Sequence, residues 1–236
     1  MSIQGLFPID KWDFERWSIL ANLPPTDLAL LMKRKTEHGY KRGEIIFREG
    51  AFPAGIYFLV DGKAKKYKLD QNGREQIIYV ANTGELLGYH AILSGDNYPD
   101  SAAVLEDSRI AFIPREDFLG TIEQSPVLSR RLLSTLSHEF FVLANSLAIF
   151  ARRPVRERLA LQLIVVREKY KTGVAAGLPI EINLSRDDLA SLVGTARENV
   201  VRMLTEFKEE GILKTRGRKI VILDIRKLIK VANYSL

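Results

Sequence analysis

The sequence predicts an α+β chain in three consecutive parts: a small antiparallel barrel or sandwich with short helices at its start, a long helix, and a compact helical domain ending in a basic hairpin. Three observations predict it. Glycines recur at an almost constant interval in the first half, an apolar seam runs without a break through the middle, and two short capped helices precede a basic hairpin near the end. With 236 residues and a hydrophobic fraction of 46%, the chain can fill more than one core.

Between Lys41 and Gly95, turn signals fall at Gly50, Gly62, Gly73, Gly84 and Gly95, at intervals of 12, 11, 11 and 11 residues. The runs between them, "IYFLV", "KYKL" and "QIIYV", are rich in β-branched and aromatic residues. Short strands at that spacing predict a barrel or sandwich. Ahead of them, "PPTDLALLMKRK" predicts a short helix with Thr26 or Asp27 as its cap.

After "AFIPREDFLGTIEQSP" the period changes. Leu133, Leu136, Phe140, Leu143, Leu147 and Phe150 follow one another in steps of three and four, the seam of a coiled coil. Arg130, Arg131, Ser137, His138, Glu139 and Asn145 occupy the polar face, which leaves one narrow stripe to bury. The six seam residues are therefore the expected interface of a parallel homodimer; the alternative is a helix packed along its own domain. Pro154 in "ARRPV" cannot continue the hydrogen-bond ladder and fits the first turn of a new helix. The expected division is residues 1–125, 126–152 and 153–236, with the helix "VRERLALQLIVVREKY" and the loop "KTGVAAGLP" opening the last part.

In "LSRDDLASLVGTARENVVRML", Ser185 caps one helix with Asp188 three residues on, and Gly194 ends it. Thr195 is the expected cap of the next, with Glu198 three residues on. Two short helices joined at a glycine form a helix-turn-helix. The second places Ala196, Val200, Met203, Leu204 and Phe207 on one side and Arg197, Glu198, Val201, Arg202 and Thr205 on the other. Such a helix enters the major groove, where an arginine fork matches guanine O6 and N7 and a carboxylate accepts from cytosine N4. Arg197 and Arg202 are the expected guanine readers and Glu198 the cytosine reader; Ser185, Thr195 and Asn199 complete the candidate contacts of the helix pair. Glu198 could instead serve only the cap, and Arg202 could clamp a phosphate. Downstream, "GILKTRGRKIVILD" predicts a hairpin with Gly217 at its tip, ringed by Lys214, Arg216, Arg218 and Lys219. This is a wing suited to phosphate contacts, with Arg218 and Lys219 as the candidates.

Charge agrees with that placement. The chain carries a net +6, but residues 152–236 hold 18 basic and 10 acidic side chains while the first 151 hold 17 and 19. The positive charge is concentrated where a polyanion is expected to bind. Cysteine is absent, which excludes disulfides, thiolate zinc sites and cysteine-ligated clusters. The first residues lack the pattern of a secretory signal, and no stretch reaches about 18 unbroken apolar residues. The expectation is a soluble, cytoplasmic protein with no membrane partner. With no P-loop, no metal motif and no Ser/His/Asp arrangement, an enzyme is not expected.

From about Lys41 to Lys227 the chain resembles the CRP/FNR family of bacterial transcription regulators. "YFLVDGKAKKYKLDQNGREQIIYVANTGELLGYHAILSGD" resembles that family's β-roll sensor of the cyclic-nucleotide-binding type, the seam its dimerisation helix, and "LSRDDLASLVGTARENVVRML" with "GILKTRGRKIVI" its winged helix. The resemblance implies a small effector in the β-roll, double-stranded DNA and RNA polymerase as partners, and a palindromic site. The R-E-x-x-x-R pattern of Arg197, Glu198 and Arg202 is that of members reading TGTGA-like half-sites, although Asn199 stands where the best-known members have Thr.

The sensor departs further from the cAMP receptors of the family. Tyr89 follows Gly88 where they carry a ribose-binding Glu, Pro99 or Asp100 precedes Ser101 where they carry Arg, and Leu143 and Ala144 replace a Thr-Ser pair. These losses argue against cAMP. "LGYHAILSG" is closer to the FNR-like branch, whose iron–sulfur route is closed without cysteine. Haem would have only His38, His90 and His138 to choose from, which argues against it as well. Gly88, Tyr89, His90, Asp100, Ser101 and Leu143 remain the candidate effector pocket. A regulatory module of the cyclic-nucleotide-binding type that acts on a protein partner is the rival reading.

Overall fold

The computed structural model describes residues 3, 5–12, 18–172, 174–175 and 178–233, and Gly173 and Gly177 of the loop read above lie outside them. Two compact units emerge: a β-rich one, Phe14–Leu69 with Ile78–Phe140, and a helical one, Met1–Asp13 with Asp70–Ile77 and Phe141–Leu236.

The roll has eight strands: β1 Thr36–Tyr40, β2 Ile45–Phe47, β3 Gly55–Asp61, β4 Lys63–Leu69, β5 Glu75–Asn82, β6 Leu86–Leu87, β7 Ser101–Val104 and β8 Ser108–Pro114. They form two four-stranded sheets, in the orders β1-β8-β3-β6 and β2-β7-β4-β5. Gly50, Gly62, Gly73 and Gly84 fall between successive strands from β2 to β6, so the glycine interval read from the sequence is the strand-and-turn period. Phe47, Leu59, Ala64, Leu87, Tyr98 and Ile110 fill one core of this unit; Ile56, Ile113, Phe118, Leu128 and Leu132 belong to the other.

Helix α1, Pro25–Leu31, starts one residue before the expected cap. Pro24 is the capping residue, with φ −51° and ψ 136°, and no side chain caps the helix. A residue before proline is driven to extended backbone, so Pro24-Pro25 sets the boundary by itself. Thr26 instead donates to Asp27 Oδ1 at 3.1 Å. Helix α2, Tyr89–Ser94, and helix α3, Arg115–Gln124, complete the elements before the long helix.

Helix α4 runs from Pro126 to Arg152. Its apolar side chains form two stripes rather than the single one expected. Leu128, Leu132, Val142 and Ile149 are buried, and Leu136 of the predicted seam packs partly buried against the same core as Leu132. Leu133, Phe140 and Leu147 are 67%, 75% and 73% exposed. Among the described residues α4 is the one helix long and apolar enough to cross a membrane, but its first turns are built into the β-rich core. Arg131 reinforces that attachment by donating to the carbonyls of Ile19 at 3.0 Å and Asn22 at 3.2 Å.

The helical unit continues with α5 Val155–Lys171, β9 Glu181–Asn183, α6 Arg186–Val193, α7 Arg197–Glu209, β10 Leu213–Arg216, β11 Lys219–Ile222 and α8 Ile225–Val231. The last three strands form a sheet in the order β10-β11-β9. Leu163, Val193, Val200, Phe207 and Ile220 are fully buried. Arg156 fastens α5 to α7: its guanidinium lies 4.8 Å from the Phe207 ring centroid and donates to Glu206 at 2.9 Å and to Glu210 at 2.6 Å. Arg158 donates to the carbonyls of Phe150 and Gly194, which holds the turn between α6 and α7.

That turn needs a left-handed residue. Gly194 has φ 68° and ψ 53°, and its N–H bonds the Ala190 carbonyl. Gly194→Ala should lower unfolding stability by about 1–2 kcal/mol, measured by urea denaturation, because a Cβ is disfavoured in that conformation.

Candidate functional site

The N-terminus of α6 is built as the sequence predicts. Ser185 Oγ accepts from the Asp188 N–H at 2.9 Å, and its hydroxyl donates to Asp188 Oδ2 at 2.6 Å. Ser185 is thus occupied by its own helix. The start of α7 differs from expectation: Ala196, not Thr195, is the N-cap, and no side chain caps the helix. Thr195 lies one residue too early, and its hydroxyl accepts from Asn199 Nδ2 at 3.1 Å. Ala196, expected on the buried side, is exposed at this cap.

Past the cap the two faces separate as their spacing requires. Val200, Met203, Leu204 and Phe207 are buried, while Arg197, Glu198, Val201, Arg202 and Thr205 are exposed. Without a cap to serve, the Glu198 carboxylate is left to the exposed face. Asn199 links two candidates, since its Oδ1 accepts from Arg202 Nη2 at 3.3 Å and its amide reaches Thr195. Arg197 Nε lies 3.7 Å from Asp187 Oδ1, an exposed pair that contributes little and can open readily.

The hairpin β10–β11 turns at Gly217 and Arg218, with Leu213 opposite Ile222 and Arg216 opposite Lys219. Lys214, Arg216, Arg218 and Lys219 are all exposed, and Lys219 pairs with Glu181 on β9. A residue outside the sequence-based candidates positions the wing. Arg186, in the first turn of α6, donates from Nη2 to the Gly217 carbonyl at 3.0 Å and from Nη1 to that of Arg218 at 3.5 Å. Burial holds its pKa below the usual arginine value. The outer face of α7 and the hairpin both present exposed basic side chains.

In the β-rich unit, the expected effector residues are already engaged. Gly88 opens α2 with φ 82°, and a Cβ there would lie 3.0 Å from the Tyr98 ring. Tyr98 stacks on Phe47 with centroids 4.1 Å apart and donates to the Gly55 carbonyl at 2.8 Å. Tyr89 and His90 stack on each other at 4.1 Å and both reach Glu139 of α4. The Tyr89 hydroxyl donates to Oε1 at 2.7 Å, and His90 Nε2 lies 2.6 Å from Oε2. His90 Nδ1 is buried with no hydrogen-bond partner among the described residues.

Burial pushes the Glu139 carboxyl up, but His90, Tyr89 and the nearby Lys66 charge outweigh it and hold its pKa below the ordinary carboxylate value. Lys66 in turn lies 3.1 Å from Asp100 Oδ2, both side chains largely buried. Ser101 Oγ accepts from the Glu49 N–H at 2.9 Å. Leu143 belongs to the helical unit and is 44% exposed. Of the other histidines, His38 sits exposed on β1 beside Thr36, and His138 is half-buried on α4. Glu139 and Lys66 were missed because periodicity placed Glu139 on a polar helix face and Lys66 in a lysine-rich strand.

Because the Glu139 pKa is depressed on folding, its contribution is present above the ordinary carboxylate range and is lost as pH falls through the folded value. Glu139→Gln should therefore cost about 1–3 kcal/mol at neutral pH, and the difference from wild type should close in acid. Urea denaturation of both proteins across pH checks this.

Comparison with known proteins agrees with both halves of this description. Residues 37–125 match the cyclic nucleotide-binding domain, and residues 157–231 match the Crp-like helix-turn-helix domain. The CRP-like cAMP-activated global transcriptional regulator of Mycobacterium tuberculosis is 26% identical over 217 residues, 92% of this chain and 97% of the relative. The transcriptional activator protein Anr of Pseudomonas aeruginosa is 27% identical over 196 residues, 83% and 80% of the two chains. The structure of FixK2 from Bradyrhizobium japonicum shares the fold, with a TM-score of 0.74 at 24% identity, covering 86% of this chain and 99% of that one. Similarity extends both to a cAMP-activated regulator and to an anaerobic regulatory protein, so the branch within the family is left open. With a cyclic-nucleotide-binding roll, a long helix and a Crp-type helix-turn-helix with its wing in one chain, the protein belongs to the CRP/FNR family of DNA-binding transcription regulators.

Proposed function

We propose that the chain acts as a homodimer that reads a pseudo-palindromic, TGTGA-like site, with half-sites about one helical turn, roughly 34 Å, apart. The observation that carries this reading is the exposed face of α7, where Arg197, Glu198 and Arg202 stand clear of the core beside a basic wing. Arg197 and Arg202 read guanines, Glu198 reads a cytosine, and Arg218 and Lys219 hold phosphates. Dimerisation is through α4, whose Leu133, Phe140, Leu143 and Leu147 form an exposed apolar stripe that a second copy would cover. RNA polymerase in the cytoplasm is the partner such a regulator serves.

The β-roll is the place for a small effector, and its chemistry argues against a cyclic nucleotide. The buried Lys66 ammonium is already neutralised by Asp100, so an entering phosphate would meet a carboxylate instead of a free cation. Glu139 in turn holds Tyr89 and His90. Lys66 with Asp100 and Tyr89 with Glu139 are thus paired within the unit, while His90 Nδ1 stays buried without a partner among the described residues.

A preferred duplex selected from a randomised pool gives the test. Arg202→Ala should lose about 1–3 kcal/mol on that duplex and relax one guanine position, whereas Arg218→Ala should weaken selected and scrambled DNA alike. Equal losses on both duplexes for Arg202→Ala, measured by anisotropy at one salt concentration, would remove its base-reading role.

A further inference from the structure

We infer that Val201 reads the C5-methyl group of a thymine beside the base read by Arg202, which adds an apolar contact to the polar readers of α7. The inference rests on the reading of α7 as the recognition helix. At about 100° per residue, the exposed arc of α7 runs from Arg197 through Val201, Thr205 and Glu198 to Arg202, so Val201 lies within it and not at its buried edge. Its side chain is 46% exposed, and it is the one large apolar residue on a face otherwise made of Arg, Lys, Glu and Thr.

Among the described residues, the core of the helical unit does not use Val201. The buried face of α7 is complete without it, since Val200, Met203, Leu204 and Phe207 are all buried. A β-branched residue is also a weaker helix former than the arginines and glutamates around it, and its methyls gain nothing from water. The major groove offers one apolar group among the base edges, the thymine methyl, and an aliphatic side chain pressed on it removes both from solvent. Arg202 is the next residue along, and its guanidinium donates to Asn199 Oδ1 at 3.3 Å.

Replacement of thymine by deoxyuridine deletes only that methyl, which makes the test specific. On the preferred duplex, each thymine of the half-site is replaced in turn, symmetrically in both half-sites, and binding of the full chain is measured by anisotropy at fixed salt. One position should weaken binding about fourfold per half-site, the value of one buried methyl group. Val201→Ser, an exposed substitution that leaves the core intact, should bind thymine and uracil equally at that position and keep its guanine preferences. Equal binding of thymine and uracil at every position by the wild type would overturn the inference. So would a Val201→Ser protein that still favours thymine as strongly, because another group would then sense the methyl. Absence of any preferred duplex would be a different failure, one that removes the sequence-reading role of α7 and this contact with it.

Discussion

The exposed apolar stripe of α4 is the constraint on which the rest depends. Leu133, Phe140, Leu143 and Leu147 stand in water along a helix whose other stripe is already buried. Covering them is worth roughly 1.5–3 kcal/mol per side chain before the costs of association. A second copy of the same helix would supply the matching stripe in the proposed dimer, as a self-complementary two-fold contact requires. In the proposed dimer that pairing would supply two reading helices, and the two-fold axis would call for a pseudo-palindrome. In that reading the wing needs no sequence information of its own, because its lysines and arginines would address the phosphates that all DNA shares.

The sensor follows a different logic, in which buried charge is compensated internally. Lys66 with Asp100, and Glu139 with Tyr89 and His90, leave each charged group with a partner inside the β-rich unit. Removing one partner of a buried pair is more damaging than the pair is beneficial, so these groups act as a specification of one arrangement more than as a source of stability. Glu139 is the link of interest, because it stands on α4 while its partners stand on α2. An effector that competed for Tyr89 or His90 would act on the long helix through that carboxylate.

Much of this was legible in the sequence, for physical reasons that differ between elements. The roll announced itself because each strand must end in a turn, and the turns need glycine at a steady interval. The reading helix announced itself because burying Val200, Met203, Leu204 and Phe207 fixes which residues face outward. Capping was less legible: Thr195 and Thr26 have the right chemistry, but the backbone puts the caps at Ala196, one residue later, and at Pro24, two residues earlier. The second stripe of α4 and the contacts of Glu139, Lys66 and Arg186 depend on partners far along the chain, which no local period reports. Leu136 shows the same limit, since it fits the seam by spacing and packs on the β-rich core in the fold.

Sedimentation of the wild-type chain and of Leu147→Asp tests the central claim most directly, because Leu147 is 73% exposed and its replacement leaves the core of either unit untouched. The account predicts twice the chain mass of 26.7 kDa for the wild type and a folded monomer for the variant at the same micromolar concentration. A monomeric wild type, or a variant that remains a dimer, would contradict it.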